Sequence, residues 1–226
     1  MKEIEHPSGP GSRERLRAGV RDGVPFALAG LLVAVSFGVL AKPVLGVPAT
    51  LVMSALVFAG SAQFAALAVL ASGGGALTAI LAGVLLNLRF VPMGIAIAPS
   101  LRHGPIGRAV RGQALVDASW ALANRGGGRF DIPALIGATG AQYVTWLTGT
   151  MIGLAVGSAL GDPKSLGLDA IFPAFFLGLL VAELRRPGTR MTSAIGAAIA
   201  LALTPVLPPG VPILAAGLAA GVGRDR

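Results

Sequence analysis

The sequence contains no cysteine, only two histidines, and few charged residues, with 18 Lys and Arg and 10 Asp and Glu among 226. Without cysteine there is no disulfide, no thiolate nucleophile and no Cys-ligated metal. His6 lies in a polar N-terminal segment and His103 in a basic loop, so no histidine cluster is available to a metal. A Gly-x-Ser-x-Gly string and a Walker motif are also missing. We therefore expect no cofactor, no metal site and no enzymatic activity.

The dominant feature of the sequence is a set of long stretches without charge. Residues 43–88, 132–161 and 191–223 contain no charged side chain. A transmembrane helix needs about 20 consecutive, mostly apolar residues. The sequence therefore predicts an all-α, polytopic transmembrane helix bundle with about six to eight membrane segments, some of them broken or re-entrant.

The chain is predicted to divide into two parts, a basic cytoplasmic N-terminal tail, residues 1–23, and a single transmembrane transport domain, residues 24–223. Clusters of Gly and Pro separate the apolar stretches of this domain. The segment 114–123 is long enough, as a helix, for only half a bilayer. The other predicted segments are 24–41, 49–72, the interrupted stretch 76–101, 132–161, 169–183, and two short helices within 191–223.

The net charge of +8 is assigned to membrane topology and not to a nucleic-acid partner. The basic residues flank the apolar runs, where they contact anionic lipid and remain in the cytoplasm. If residues 76–124 make an even number of crossings, nearly all basic side chains are cytoplasmic and only Lys42 and Lys164 lie outside. We therefore interpret 76–124 as an even unit, either a re-entrant hairpin or two crossings, and we place the N-terminus in the cytoplasm.

Two residues of opposite charge, Arg89 and Asp117, lie within this unit. A charge at the centre of a membrane helix costs about 2.5 to 3.5 kcal/mol, so such residues mark candidate sites. Because each would offset the desolvation of the other, we expect them to lie close together. Three interpretations remain open. The pair connects two half-helices, or Arg89 extends to the headgroups, or Arg89 binds a substrate carboxylate while Asp117 accepts a proton or a substrate ammonium.

The string FAGSAQF, residues 58–64, places small and polar residues in the middle of an apolar stretch. Gly60 and Ser61 weaken a helix, and unwound backbone at membrane depth is tolerated only around a protein-lined or watery cavity. Gln63 then either points into that cavity or bonds to a neighbouring helix. The string therefore predicts a break that lines a central site.

A similar string, ATGAQYV at 138–144, repeats the triplet of Ala, Gln and an aromatic residue, with Gln142 as its glutamine. The repetition hints at an internal repeat of the kind found in transporters. The same apolar run has glycine at every fourth position, at 149, 153, 157 and 161. This spacing predicts a smooth helix face for close packing.

Asp169 begins a predicted segment near the outer surface, either as a gate residue or as a charge favoured by the helix dipole. The stretch from Asn87 to Arg89 is expected to line the central site together with the break at Gly60. The candidate substrate-binding residues are Gly60, Ser61, Gln63, Asn87, Arg89 and Gln142, and the candidate proton-coupling residues are Asp117 and Asp169.

With these motifs the sequence resembles the AzlC family, the large subunit of bacterial branched-chain amino acid exporters. Besides the segment around Asp117, the resemblance is carried by GVPFALAGLLVAVSFGVLA at 23–41, MSALVFAGSAQFAAL at 53–67, NLRF at 87–90 and DAIFPAFFLGLL at 169–180. Family members usually have NLRH, where this chain has Phe90 in place of the histidine. They also usually have two consecutive acidic residues after the basic loop, whereas here Asp117 is followed by Ala118.

The resemblance implies export of Leu, Ile, Val or a similar apolar amino acid, together with a small AzlD-like membrane subunit. The expected location is the bacterial plasma (inner) membrane. Because no nucleotide motif is present, we predict a secondary, proton-coupled exporter. The alternative is a passive channel or a scaffold subunit of a membrane complex. The expected partners are the small subunit, the amino acid substrate and membrane lipid, and not nucleic acid.

Overall fold

The computed structural model describes residues 11–101, 104–157, 189–207 and 211–216, and the single positions 167, 177, 180, 181, 184 and 185. These residues are helical apart from turns, one short 3-10 helix and an isolated bridge between Asn124 and Phe130. The described α-helices are α1 Ser12–Leu56, α2 Gly60–Ala71, α3 Ala76–Asn87, α4 Phe90–Ile97, α5 Pro105–Gly112, α6 Asp117–Ala123, α7 Ile132–Val156, α8 Thr189–Leu203 and α9 Val211–Ala216.

Helices α1 and α7 pack side by side and run in the same direction. The backbone of Leu16 contacts Gly137, and further along both helices Gly149 meets Leu31 and Gly157 meets Val39. The predicted glycine stripe is confirmed at 149, 153 and 157, since a Cβ atom there would overlap atoms of α1 or the preceding turn of α7. Small residues let the two backbones approach each other closely.

The start of α1 differs from the prediction. The helix begins at Ser12, so the basic residues 12–23, expected as part of the tail, form its first turns. Gly19 and Gly23 are buried there against the backbone of Ala134 and Ala138. The expected boundary between residues 23 and 24 is not a helix boundary because this close packing extends the helix toward the N-terminus.

Helix α7 provides a scale of height for the molecule. It has 25 residues, and a helix of this length measures about 37 Å. At its first turn Asp131 lies 3.8 Å from Arg15 and 3.2 Å from Arg125. We call this end the basic end and the end at Val156 the opposite end. At the opposite end, Lys42 Nζ donates to the carbonyl of Leu154 at 2.8 Å.

A first hairpin enters from the opposite end. The chain reverses at Gly46, whose φ of 74° is left-handed. Residues 47–56 then run back along α7, with Ser54 Oγ 2.7 Å from Thr150 Oγ1. Tyr143 Oη donates to the carbonyl of Ala55 at 3.0 Å, so this arm ends at the middle of α7.

The backbone breaks at residues 57–59, and α2 returns toward the opposite end. Leu67 of α2 packs in one cluster with Phe37 and Ala41, which lie near that end of α1. Residues 47–71 therefore form a hairpin of about half the height of α7, which we call the first hairpin. The break is confirmed where the sequence predicts it, but the predicted single span 49–72 is wrong because the chain turns back.

Helices α3 and α4 traverse the molecule once. Gly83 faces Ala62 of α2. Ile97, the last residue of α4, and Leu101 pack with Leu135 at the basic end. The traverse is interrupted at Leu88, because the ring of Pro92 cannot donate to its carbonyl. Val91 N donates to the carbonyl of Leu88 instead, at 3.0 Å.

A second hairpin enters from the basic end. After α5, residues 113–116 rise along α7, where Thr139 Oγ1 bonds to the carbonyl of Ala114. The chain turns at Asp117, and α6 returns to Ala123, which packs against Leu135. Residues 113–123 form this second hairpin. It is the re-entrant alternative expected for 114–123.

The interpretation of 76–124 as an even unit is corrected by this path. Residues 76–101 traverse once, and the second hairpin adds no traverse. The basic residues of the first turns of α1, of α5 and of the turn before α7 still lie at one end, because the first hairpin, predicted as a span, adds no traverse either. The predicted span 49–72 and the predicted even unit 76–124 are each wrong by one traverse, and the two errors cancel. Arg15 and Arg125 therefore lie at the same end, where both contact Asp131, as the charge pattern predicts.

Two of the described helical stretches have the length and apolar composition needed to cross a membrane, Ser12–Leu56 and Ala76–Ser100. Helix α7 is long enough but carries Gln142 and several threonines. In the last part of the chain, α8 and α9 are the two expected short helices. Of the predicted segment 169–183 only residues 177, 180 and 181 are described, and Asp169 lies outside the described residues. The number of six to eight membrane segments stays a prediction.

Candidate functional site

The tips of the two hairpins meet the break between α3 and α4 at the middle of α7. They surround a cavity of about 70 Å³, which we call the central cavity. Its polar lining residues are Ser61, Arg89, Asp117 and Gln142, and its large apolar ones are Phe26, Val33, Phe58, Phe90 and Trp146. A site with charged, polar and aromatic groups on broken helices at mid-height has the composition of a transporter binding site.

Arg89 and Asp117 form an ion pair in the wall of this cavity. The Nη2 atom of Arg89 lies 2.8 Å from Oδ2 of Asp117, and the two side chains are 14% and 29% exposed. The guanidinium also lies over the ring of Phe90, with Cζ 5.0 Å from its centroid. The expected proximity of the two charges is confirmed. Each charge offsets the cost of removing the other from water.

The local structure of each tip fixes this pair. Arg89 lies between the last residue of α3 and the first of α4, at the interruption caused by Pro92. Asp117 is the first residue of α6, where a carboxylate is favoured by the helix dipole. Buried Ser119 holds this turn, since its Oγ accepts from Val116 N at 3.3 Å and donates to the carbonyl of Ala114 at 3.1 Å.

Two buried polar atoms in the cavity wall have no hydrogen-bond partner among the described residues. They are Oγ of Ser61 and Nε1 of Trp146. Most buried polar side-chain atoms in proteins have a partner, and an exception calls for an explanation such as water or a ligand. Both atoms can donate a hydrogen bond to a solute in the cavity.

Gln63 bonds between the arms of the first hairpin and does not line either described cavity. Its side chain is fully buried, and Nε2 lies 3.5 Å from Oγ of Ser54. The expected alternative of a bond to a neighbouring helix describes this position, and the expectation that Gln63 points into the central site is not met.

A second cavity of about 570 Å³ lies between the central cavity and the basic end. Asn87 lines this second cavity, with an Oδ1 atom that has no partner among the described residues. Gln113, Thr139 and Tyr143 provide its other polar groups. The site residues predicted from sequence are therefore divided between the two cavities. Asn87 lines the second cavity, and Asp169 lies outside the described residues. The residues at the central cavity are Gly60, Ser61, Arg89, Asp117 and Gln142.

Four residues line both cavities and form the partition between them, namely Phe58, Ala59, Phe90 and Val116. Phe58 has a φ of 40°, a rare value for a residue with a side chain. Its ring packs edge-on against Tyr143 at 5.0 Å and Trp146 at 6.4 Å between centroids. Sequence reasoning missed these aromatic residues, although Gln142, Tyr143 and Trp146 share one helix face by their spacing.

Comparisons with known proteins show a family and similar membrane proteins. The family model described as AzlC protein matches residues 25–160. The chain is similar to the inner membrane protein YgaZ of Escherichia coli K12, with 30% identity over 227 aligned residues that cover 94% of this chain and 89% of that protein. It is also 30% identical over 213 residues to an uncharacterized membrane protein of Archaeoglobus fulgidus, covering 90% of this chain and 91% of that one. No solved structure matches the chain.

The relatives are membrane proteins, which supports a membrane location and a role related to membrane transport. The family model covers more than half of the chain and includes both hairpins and all described residues of the central cavity. By this match, and by relatives aligned over nearly its whole length, the chain belongs to the AzlC family.

Proposed function

We propose that the chain exports branched-chain or similar apolar amino acids across the bacterial inner membrane as a proton-coupled secondary transporter, with the central cavity as its substrate site. Membership of the AzlC family supports a role in membrane transport. The observation that carries the assignment to this cavity is the ion pair of Arg89 and Asp117, 2.8 Å apart, where two half-height hairpins meet. The small AzlD-like partner is proposed from the family alone.

An amino acid brings a carboxylate and an ammonium group, the two charges that such a pair can bind. Arg89 and Asp117 neutralise each other within their ion pair. When substrate enters, Arg89 donates to its carboxylate and Asp117 accepts from its ammonium, so neither buried charge is left unpaired. The unpartnered donors of Ser61 and Trp146 add hydrogen bonds to the carboxylate.

Proton coupling is assigned to Asp117. A carboxylate that exchanges its arginine for a substrate ammonium is the group whose proton affinity depends on occupancy of the site. Release of the ammonium to the other side of the membrane and protonation of Asp117 then belong to one cycle. Asp169 is retained as the second candidate from the sequence.

The second cavity gives this site a route from the basic end, which we propose is cytoplasmic. It reaches the central cavity at the partition formed by Phe58, Ala59, Phe90 and Val116. An exporter must collect its substrate from the cytoplasm, and a wide cavity on that side is the arrangement expected before substrate is transferred. Movement of the hairpin tips would open the partition, as broken helices do in other transporter folds.

Charge-neutral variants test whether the ion pair is a binding site or only a structural contact. We expect Asp117→Asn and Arg89→Gln each to lose leucine transport, measured with labelled leucine in liposomes with and without an imposed pH gradient. The double variant Arg89→Gln/Asp117→Asn removes both buried charges, so it should fold nearly as well as the wild type. If the pair binds substrate, the double variant stays inactive; if the pair is structural, activity returns.

The pair Arg125 and Asp131 provides a control outside both cavities, with the two side chains 3.2 Å apart. It is a demanding control, because Asp131 also contacts Arg15 and caps α7. Arg125→Gln/Asp131→Asn should retain transport. Loss of transport in this control equal to that in the cavity variants would show that transport depends on stability alone.

A further inference from the structure

The α1 side of the central cavity contains no polar side chain. Phe26, Gly30 and Val33 line the cavity from one face of α1, at positions i, i+4 and i+7. The charges and hydrogen-bonding groups of the cavity come from the hairpins, the break before α4, and α7. A solute with a charged end held by Arg89 and Asp117 would therefore extend its apolar end toward α1.

Gly30 is the gap in this apolar face. A Cβ atom built at Gly30 has no heavy atom within 4 Å, whereas a Cβ at Gly23 or Gly38 on the same helix would overlap the backbone of α7. Packing of α1 against α7 thus requires glycine at those positions but not at position 30. Glycine in the middle of a helix is destabilising relative to alanine by roughly 0.5 to 1 kcal/mol. The helix accepts this cost at Gly30 without gaining a closer contact.

The space beside Gly30 belongs to a small cavity. A volume of about 70 Å³ holds only a few water molecules, since each needs roughly 10 to 15 Å³ by this measure. A methyl group at position 30 would project into this space and reduce it. The rings of Phe58 and Trp146 and the buried side chain of Val33 line the same space.

We propose that Gly30 is the specificity-determining residue of the cavity, because the space it leaves holds the aliphatic side chain of the substrate and limits its length. This inference rests on the proposed function. An added methyl group at position 30 should exclude the larger aliphatic side chains first, since one methylene in an apolar pocket changes selectivity by about 10- to 200-fold.

The test measures selectivity in liposomes that contain the full chain with any subunit that co-purifies. Initial uptake rates of labelled alanine, valine and leucine into amino-acid-loaded liposomes are compared for the wild type, Gly30→Ala and Gly30→Val. For Gly30→Ala we expect the ratio of leucine to valine uptake to fall by about tenfold or more. Gly30→Val should reject valine as well and retain alanine. Equal loss for all three amino acids, or an unchanged ratio, would overturn the inference.

Gly94 of α4 is the matched control, because a Cβ there also meets open space and Gly94 lines neither cavity. Gly94→Ala should leave the ratio of leucine to valine unchanged. Val33→Ala tests the opposite direction, since a larger space should raise phenylalanine uptake relative to leucine. A decrease in that ratio would also count against the inference.

The inference and the proposed function fail in different ways. If the wild-type chain transports none of these amino acids, the proposed function is wrong. If the wild type transports leucine but Gly30→Ala and Val33→Ala both keep its preferences, the function stands and the assignment of Gly30 is wrong.

Discussion

Glycine serves opposite purposes in the α1–α7 pair and at the central cavity. Along the pair, each of several glycines brings a backbone of one helix against the other, and a side chain there would overlap neighbouring atoms. At the cavity, Gly30 has open space where its side chain would be. The pair is a tightly packed frame, and the hairpin tips beside it contain broken backbone, paired charges and unpartnered polar atoms.

The difference teaches that a small residue in a membrane helix predicts space beside the helix, but not whether another backbone or a solute occupies that space. At Gly153 the approaching group is the backbone of Val35. At Gly30 a Cβ atom would meet no heavy atom of the described residues within 4 Å, and we assign this space to the substrate side chain. The atoms next to each glycine in the structure, and not its spacing in the sequence, distinguish a glycine of the packed α1–α7 pair from a glycine of the cavity.

The largest expected effect is at the frame. Gly153→Ala places a methyl group on the backbone of Val35, and overpacking of this kind costs about 3 kcal/mol. Gly140→Ala is the matched control on the same helix, because a Cβ there meets no atom within 4 Å. Heating in detergent followed by size-exclusion chromatography should show a large drop in Tm for Gly153→Ala only. Equal Tm values for the two variants would mean that the frame is not tightly packed in solution.

A smaller effect is expected inside the first hairpin. Ser54→Ala removes the group 3.5 Å from Gln63 Nε2 and 2.7 Å from Thr150 Oγ1, both buried. Leaving the buried amide of Gln63 without this partner should cost about 2 kcal/mol of stability. Thr148→Ala is the control, since the Thr148 hydroxyl is exposed and bonds within its own helix at 2.8 Å.

A compensating variant makes this second prediction sharper. Replacing both polar partners by apolar groups of similar shape is often nearly neutral. Ser54→Ala/Gln63→Leu should therefore recover most of the Tm lost by Ser54→Ala. If the double variant is less stable than the single one, the hydrogen bond of Gln63 is not what holds the two arms together.

The smallest expected effect concerns the strained tip. Phe58→Gly and Phe58→Ala both remove the ring, but only glycine accepts the φ of 40° without strain. The glycine variant should be more stable than the alanine variant by about 1 kcal/mol. Thermal unfolding of the two variants in the same detergent measures the difference. A more stable alanine variant would show that residue 58 relaxes to an ordinary backbone conformation once its ring is gone.

Several features could be predicted from residues alone because their physical cause is local or carries a sign. Opposite charges in an apolar unit predicted the contact of Arg89 and Asp117. Glycine at every fourth residue predicted the packing face of α7. The break next to Gly60 followed from weak helix formers in an apolar run.

Other features required the tertiary structure. Gly60 and Ser61 are compatible with a kink or with a reversal, and the reversal is decided by the packing of Leu67 on Phe37, which sequence spacing does not reveal. The roles of Phe58, Trp146 and Gly30 were missed for a related reason. Phe58 lies in the break between α1 and α2, and the faces of Gly30 on α1 and Trp146 on α7 meet the cavity only because the hairpin tips pack there.

The hydrogen bond from Tyr143 to the carbonyl of Ala55 joins residues 88 positions apart in the chain. The ribosome therefore completes the first hairpin, residues 47–71, long before it synthesises Tyr143. Until then the carbonyl of Ala55, at the inner end of the first arm, lacks this hydrogen bond. In a lipid environment an uncapped carbonyl is costly, so the nascent hairpin has little reason to stay at its final depth. Its mature position is established late, when α7 arrives beside it.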